Sequence, residues 1–138
     1  ALVMMSESEA GRRGLDPLAR VIGQATQSQH PSRFTTAPVG AIGKLLERTG
    51  WTADDVDLFE INEAFAMVTL MPIEEFSLDP AKVNVHGGAC ALGHPIGSSG
   101  SRIIATLLYA MKRYGGQRGI ASLCIGGGEA TAMAFEML

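Results

Sequence analysis

The segment Asn84-Val85-His86-Gly87-Gly88-Ala89-Cys90-Ala91-Leu92-Gly93-His94-Pro95-Ile96-Gly97-Ser98-Ser99-Gly100 constrains this chain more than any other. Six of its residues are glycine or proline. Glycine reaches backbone conformations closed to other residues, and proline fixes φ. The segment therefore cannot be a regular helix or strand throughout, and it reads as a shaped loop with His94 held inside it. Loops carried on a rigid scaffold often bear functional groups. Two further polar signatures flank it, Glu60-Ile61-Asn62-Glu63-Ala64-Phe65-Ala66 upstream and Cys124-Ile125-Gly126-Gly127-Gly128-Glu129 downstream.

At 138 residues the chain is long enough for one domain with a real core. Hydrophobic residues make up 46% and charged residues 18%, a globular balance on the apolar side. A formal net charge of -3 gives no reason to expect nucleic acid or an anionic membrane as partner. No apolar run approaches the roughly 18 residues a membrane span needs, and no secretory leader is visible. Cys90 and Cys124 form neither a disulfide framework nor a zinc pair, so reduced thiols in a cytoplasmic compartment are expected. The chain opens on apolar Ala1-Leu2-Val3-Met4-Met5 with no lead-in and no initiator Met. That reads as a core strand in a piece of a longer protein.

Periodicity outlines the rest. Residues 18–27 suggest a strand. Val39, Ile42, Leu45 and Leu46 follow the helical period after Pro38, and Gly50 ends that helix. Val56 to Ile61 alternates as a strand. Glu63 to about Phe76 reads as helix interrupted at Pro72, and Val83–Val85 as a short strand feeding the glycine loop. Ile103, Ile104, Leu107, Leu108 and Met111 form one stripe of a helix over 100–114. Residues 118–125 and 130–137 read as two strands joined by a turn short enough for an antiparallel hairpin. The expected fold is an α/β layered domain: a mixed, largely parallel sheet, helices on both faces and a C-terminal hairpin.

Ligands of layered α/β sheets bind beyond the carboxyl ends of strands. Asn62, the His94 loop and Cys124 each follow or end a strand, so they should converge on one sheet edge. His94 is either a structural histidine or a positioned proton carrier and oxyanion donor. Cys124 is either an inert buried thiol or a nucleophile or base with room for a ligand at the following glycines. Asn62 is either a helix N-cap or a donor to a substrate oxygen. Gly97-Ser98-Ser99-Gly100 reads as helix capping. Cys90 reads as packing. His30 and His86 have no evident partner, and no metal-binding set is apparent.

Asn-Glu-Ala-Phe at 62–65, the whole run 84–100 and Cys-Ile-Gly-Gly-Gly at 124–128 together resemble the C-terminal half of a thiolase, most similar to acetyl-CoA acetyltransferases. The resemblance covers the full chain. It implies an acyltransferase that joins two acetyl-CoA molecules into acetoacetyl-CoA and runs the reverse thiolysis, in fatty-acid or ketone-body metabolism. By the same resemblance His94 helps activate the nucleophile and, with a water held by Asn62, stabilises the enolate oxygen. Cys124 removes or returns the α-proton. The Gly126 N–H forms part of a second oxyanion hole, and Ala64 and Phe65 lie beside the pantetheine arm.

The resemblance implies no cofactor, since the coenzyme A thioester is itself the substrate. It implies a dimer or tetramer in the full-length protein, and a partner N-terminal thiolase domain that carries the acylated cysteine. Neither Cys90 nor Cys124 matches that nucleophile, so the isolated chain is expected to be inactive. Phe34-Thr35-Thr36-Ala37-Pro38 stands where many thiolases have a glycine-rich stretch. A non-catalytic acyl-CoA or lipid-binding domain of the same shape is the alternative, and a ketoacyl synthase relative is disfavoured by the Cys-Ile-Gly-Gly-Gly run.

Overall fold

A computed structural model describes residues 1–138. Five α-helices, α1 (Glu7–Arg13), α2 (Ala37–Thr49), α3 (Ala66–Glu75), α4 (Ala89–Leu92) and α5 (Ser99–Tyr114), surround four strands, β1 (Ala19–Ser28), β2 (Leu58–Ile61), β3 (Arg118–Ile125) and β4 (Glu129–Met137). Short 3-10 turns cover Pro31–Thr36, Ala53–Asp55 and Pro80–Lys82. No helix is long and apolar enough to cross a membrane.

The strands form one sheet in the order β1-β4-β3-β2. It is mixed, with the expected C-terminal hairpin, but its balance is not largely parallel. β1 pairs with β4 and β4 with β3 antiparallel, and only β2 runs parallel to β3. The expected strand at 83–85 would have extended the parallel part. It makes a single bridge, Phe59 to Val83, because Asn84 turns to positive φ (50°) directly after it.

Alternation along the strands sends side chains to two cores. Phe59, Ile61, Ile120, Ala130, Ala132 and Ala134 face α2, where Ala41, Ile42, Leu45 and Leu46 form the buried stripe. Three alanines on one face of β4 let that helix lie close to the sheet. The opposite face presents Leu58, Ala121 and Phe135 to Ile103, Leu107, Ala110 and Met111 of α5. Helices therefore cover both faces, as the periodicity implied. Leu45 and Leu107 are fully buried, and truncating either to alanine would cost about 2–5 kcal/mol.

Two local expectations fail. Residues 1–5 are not a strand: no sheet edge receives them, and Val3 is 87% exposed. Instead Leu2 to Met5 line an apolar cavity with Ile104, Leu108, Met133 and Leu138. Pro72 does not interrupt α3 but lies inside it. It gives up its own N–H bond, yet its carbonyl still accepts from Phe76 N–H at 3.1 Å, so the last turn closes.

Candidate active site

Buried polar residues are few, and three of the five, Glu60, Asn62 and Ser99, gather where β2 ends and α5 begins. β2 stops at Ile61, and Asn62 continues its line by donating its N–H to the Ser122 carbonyl at 2.9 Å. Asn62 is not a helix cap. α3 starts only at Ala66, and Phe65 occupies its N-cap position. Freed from capping, the Asn62 side chain is 1% exposed and lies between two partners. Its Nδ2 is 3.4 Å from His94 Nε2, and its Oδ1 accepts from Arg102 Nη2 at 3.2 Å.

His94 is held from the other side as well. Its Nδ1 is 2.6 Å from Ser99 Oγ, and that hydroxyl donates to the Pro95 carbonyl at 3.2 Å. Ser98 and Ser99 therefore do not use their side chains as helix caps, contrary to the expectation for this run. The imidazole itself is exposed, while Ser99 is fully buried. An exposed imidazole is thus anchored by buried groups.

Glu63, to which the sequence assigned no role, shapes the loop. Its Oε2 accepts the Cys90 N–H at 3.0 Å, and its Oε1 accepts from Asn84 Nδ2 at 3.0 Å. A Cβ on Gly88 would overlap that carboxylate, so glycine is required there for close approach. Asn84 adds a pair of bonds to Ile61, accepting its N–H at 2.8 Å and donating to its carbonyl at 2.9 Å. The signature after β2 and the start of the glycine loop are thereby tied together. Cys90 is exposed rather than packed. Local desolvation of the thiol, and then the neighbouring Glu63 carboxylate, raise the Cys90 pKa.

Cys124 lies near the end of β3, paired with Ala130. Alternation places it on the α2 face with Ile120, whereas Asn62 reaches the α5 helix, so the two approach the same sheet edge from opposite faces. No hydrogen bond joins Cys124 to His94 or Asn62. Burial raises its pKa, opposed in part by a hydrogen bond with its own backbone. A thiol so placed is protonated at neutral pH. The following turn is closed by Gly128 N–H donating to Ile125 O at 3.1 Å, which leaves the exposed Gly126 N–H outside that bond. Gly128 holds φ at 102°, and a Cβ there would run into the Gln29 carbonyl.

Phe65 is 59% exposed and meets Phe34 edge-to-face, ring centroids 6.0 Å apart. Ala64 is half-buried and donates its N–H to the Asn62 carbonyl at 3.0 Å. The Phe34 segment thus meets the segment bearing Ala64 and Phe65. His86 stacks on Tyr114, and His30 accepts the Ser32 N–H, both away from this cluster.

Glu60, also without a predicted role, sits on the α5 face of β2 and is 2% exposed. Burial pushes its carboxyl up to about 7; the charge of Arg102 opposes the rise and that of Glu63 adds to it. Glu60 and Arg102 escaped the sequence reading because a carboxylate in a strand and an arginine in a helix are ordinary surface residues. The Ser99 to Arg102 spacing on one helix face was the available signal.

Residues 15–137 match the family described as thiolase, C-terminal domain. The chain is 50% identical over 136 residues to mouse cytosolic acetyl-CoA acetyltransferase, covering 99% of this chain and 34% of that protein. It superimposes on the crystal structure of the Bacillus anthracis acetyl-CoA acetyltransferase with a TM-score of 0.94 at 47% identity, covering 97% of this chain and 34% of that one. The Acat5 thiolase from Ascaris suum, solved in complex with coenzyme A, is similar at a TM-score of 0.91 and 43% identity, over 96% of this chain and 34% of that one. The chain thus spans about a third of the length of the relatives it matches.

Proposed function

The chain belongs to the thiolase family as its C-terminal domain, and from that premise we propose that it supplies the enolate-handling half of an acetyl-CoA acetyltransferase active site. The observation that carries the reading is the bonded pair Asn62–His94 at the same sheet edge as the Cys124–Gly126 turn. Relatives three times as long supply the rest of the reading. A separate N-terminal domain brings the cysteine that is acylated, and the isolated 138-residue chain is inactive. A cytosolic location fits the name of the mouse relative, and in this reading the full-length protein is a dimer or tetramer.

In the proposed reaction, His94 Nε2 takes the proton of the upstream cysteine as it attacks an acyl-CoA. The departing coenzyme A thiolate takes the proton of Cys124, which enters the cycle as an acid because burial holds its pKa up. The Cys124 thiolate is then a strong base and removes the α-proton of a second acetyl-CoA. The enolate oxygen is stabilised by His94 Nε2–H and a water on Asn62. Attack of the α-carbon on the acyl-enzyme forms the C–C bond, and the oxyanion this creates is received by the Gly126 N–H. Its collapse breaks the C–S bond to the nucleophile, which recovers its proton, and releases acetoacetyl-CoA. Ala64 and Phe65 flank the pantetheine arm. A purely lipid-binding domain would have no use for the buried hydrogen bonds behind His94.

Cys124→Ala in the full-length protein tests this assignment. Condensation should fall by about 100-fold or more, while acylation of the enzyme by acetyl-CoA persists. Unchanged condensation would remove Cys124 from the mechanism.

A further inference from the structure

One turn of α5 holds both ends of the Asn62–His94 pair. Ser99 and Arg102, three residues apart on one helix face, contact His94 Nδ1 and Asn62 Oδ1 respectively. Arg102 is the informative member because a guanidinium can only donate. The amide atom that faces it must therefore be the oxygen, and the Asn62 NH2 must point at His94. His94 Nε2 is then obliged to accept, and the ring proton is left on Nδ1. That proton is donated to Ser99 Oγ, whose own proton goes to the Pro95 carbonyl at 3.2 Å. Every bond runs one way, from Arg102 through Asn62, His94 and Ser99 to Pro95.

Building on the thiolase reading, we infer that Arg102 is a positioning residue that fixes the Asn62 amide and through it locks the resting His94 in the Nδ1–H tautomer, leaving Nε2 bare. The burial pattern fits this role. Arg102 Nε and Nη1 are buried without hydrogen-bond partners, so the bond from Nη2 to Asn62 is the one hydrogen bond its side chain makes. A surface ion pair would have used the guanidinium differently. Here it stands behind the site and touches no reacting atom. A bare Nε2 is what a base needs to receive a thiol proton. The opposite tautomer would place an N–H against the Asn62 NH2.

Neutron diffraction from crystals of the full-length wild-type protein, grown above pH 8 in deuterium oxide, reads the tautomer directly. A deuteron on His94 Nδ1 with Nε2 bare is expected; a deuteron on Nε2 overturns the inference, whatever the variants do. Arg102→Met should lower kcat about 100-fold with KM for acetoacetyl-CoA changed less than about threefold, and Arg102→Lys should recover part of the loss. A folded Arg102→Met enzyme with kcat within about twofold of wild type would also overturn it. An inactive wild-type enzyme would count against the thiolase reading, whereas the deuteron position still decides the role of Arg102.

Discussion

The side chain of Asn84 takes the place of a strand residue beside Ile61: its Oδ1 accepts the Ile61 N–H at 2.8 Å and its Nδ2 donates to the Ile61 carbonyl at 2.9 Å. A backbone neighbour would make the same two bonds. The substitution of side chain for main chain lets the backbone at Asn84 turn to φ 50° and leave the sheet without abandoning the last residue of β2. Asparagine tolerates that conformation better than most residues.

Asn84→Asp tests the arrangement with almost no change of shape. The new carboxylate has no proton for the Ile61 carbonyl, and it would stand against Glu63 Oε1, which Nδ2 now meets at 3.0 Å. A loss of about 2–3 kcal/mol is expected in urea unfolding, together with a lower turnover number. A fully stable Asn84→Asp protein would show that the two bonds are not needed at the loop entrance.

Gly88→Ala is expected to be destabilising by about 1–3 kcal/mol, because the added Cβ overlaps the Glu63 carboxylate. Both Glu63 oxygens are engaged, one by Cys90 N–H and one by Asn84 Nδ2, so the carboxylate cannot move aside without losing a bond. A double-mutant cycle with Glu63→Ala should show the Gly88→Ala penalty shrinking once the carboxylate is gone. Additive effects would contradict the proposed clash.

These two cases show what was legible in the sequence and what was not. The glycine loop, His94, the α2 and α5 stripes and the C-terminal hairpin follow from spacing and from glycine and proline chemistry. The roles of Glu63, Asn84 and Arg102 do not, because each acts through a partner brought near by the fold: 21 residues separate Asn84 from Glu63, and 40 separate Arg102 from Asn62. The strand expected at residues 1–5 shows the converse. Apolar composition there signals burial, but a strand needs a pairing partner, and none of the four strands pairs with that segment. The excess of antiparallel pairing was hidden for the same reason, since the direction of β1 is set by β4, far along the chain.

Glu60 gives the stability a pH dependence of defined sign. Its carboxyl is raised from 4.5 to about 7 in the folded state. The folded protein therefore holds the proton more tightly than the unfolded chain. The resulting stabilisation is complete below pH 4.5 and is lost as pH rises through about 7. Glu60→Gln removes this dependence. The variant should gain on wild type by on the order of 3 kcal/mol between pH 4.5 and 8, measured by chemical denaturation across that range. A difference that does not vary with pH would mean that Glu60 titrates normally.

Thiolysis of acetoacetyl-CoA by coenzyme A, followed with the full-length protein and with the 138-residue chain side by side, tests the central claim most directly. The full-length protein should cleave acetoacetyl-CoA, and the chain alone should not, because in the proposed reading His94, Asn62 and Cys124 are the enolate-handling half of the site and the acylated cysteine belongs to the other half. Turnover by the isolated chain, or none by the full-length protein, would contradict it.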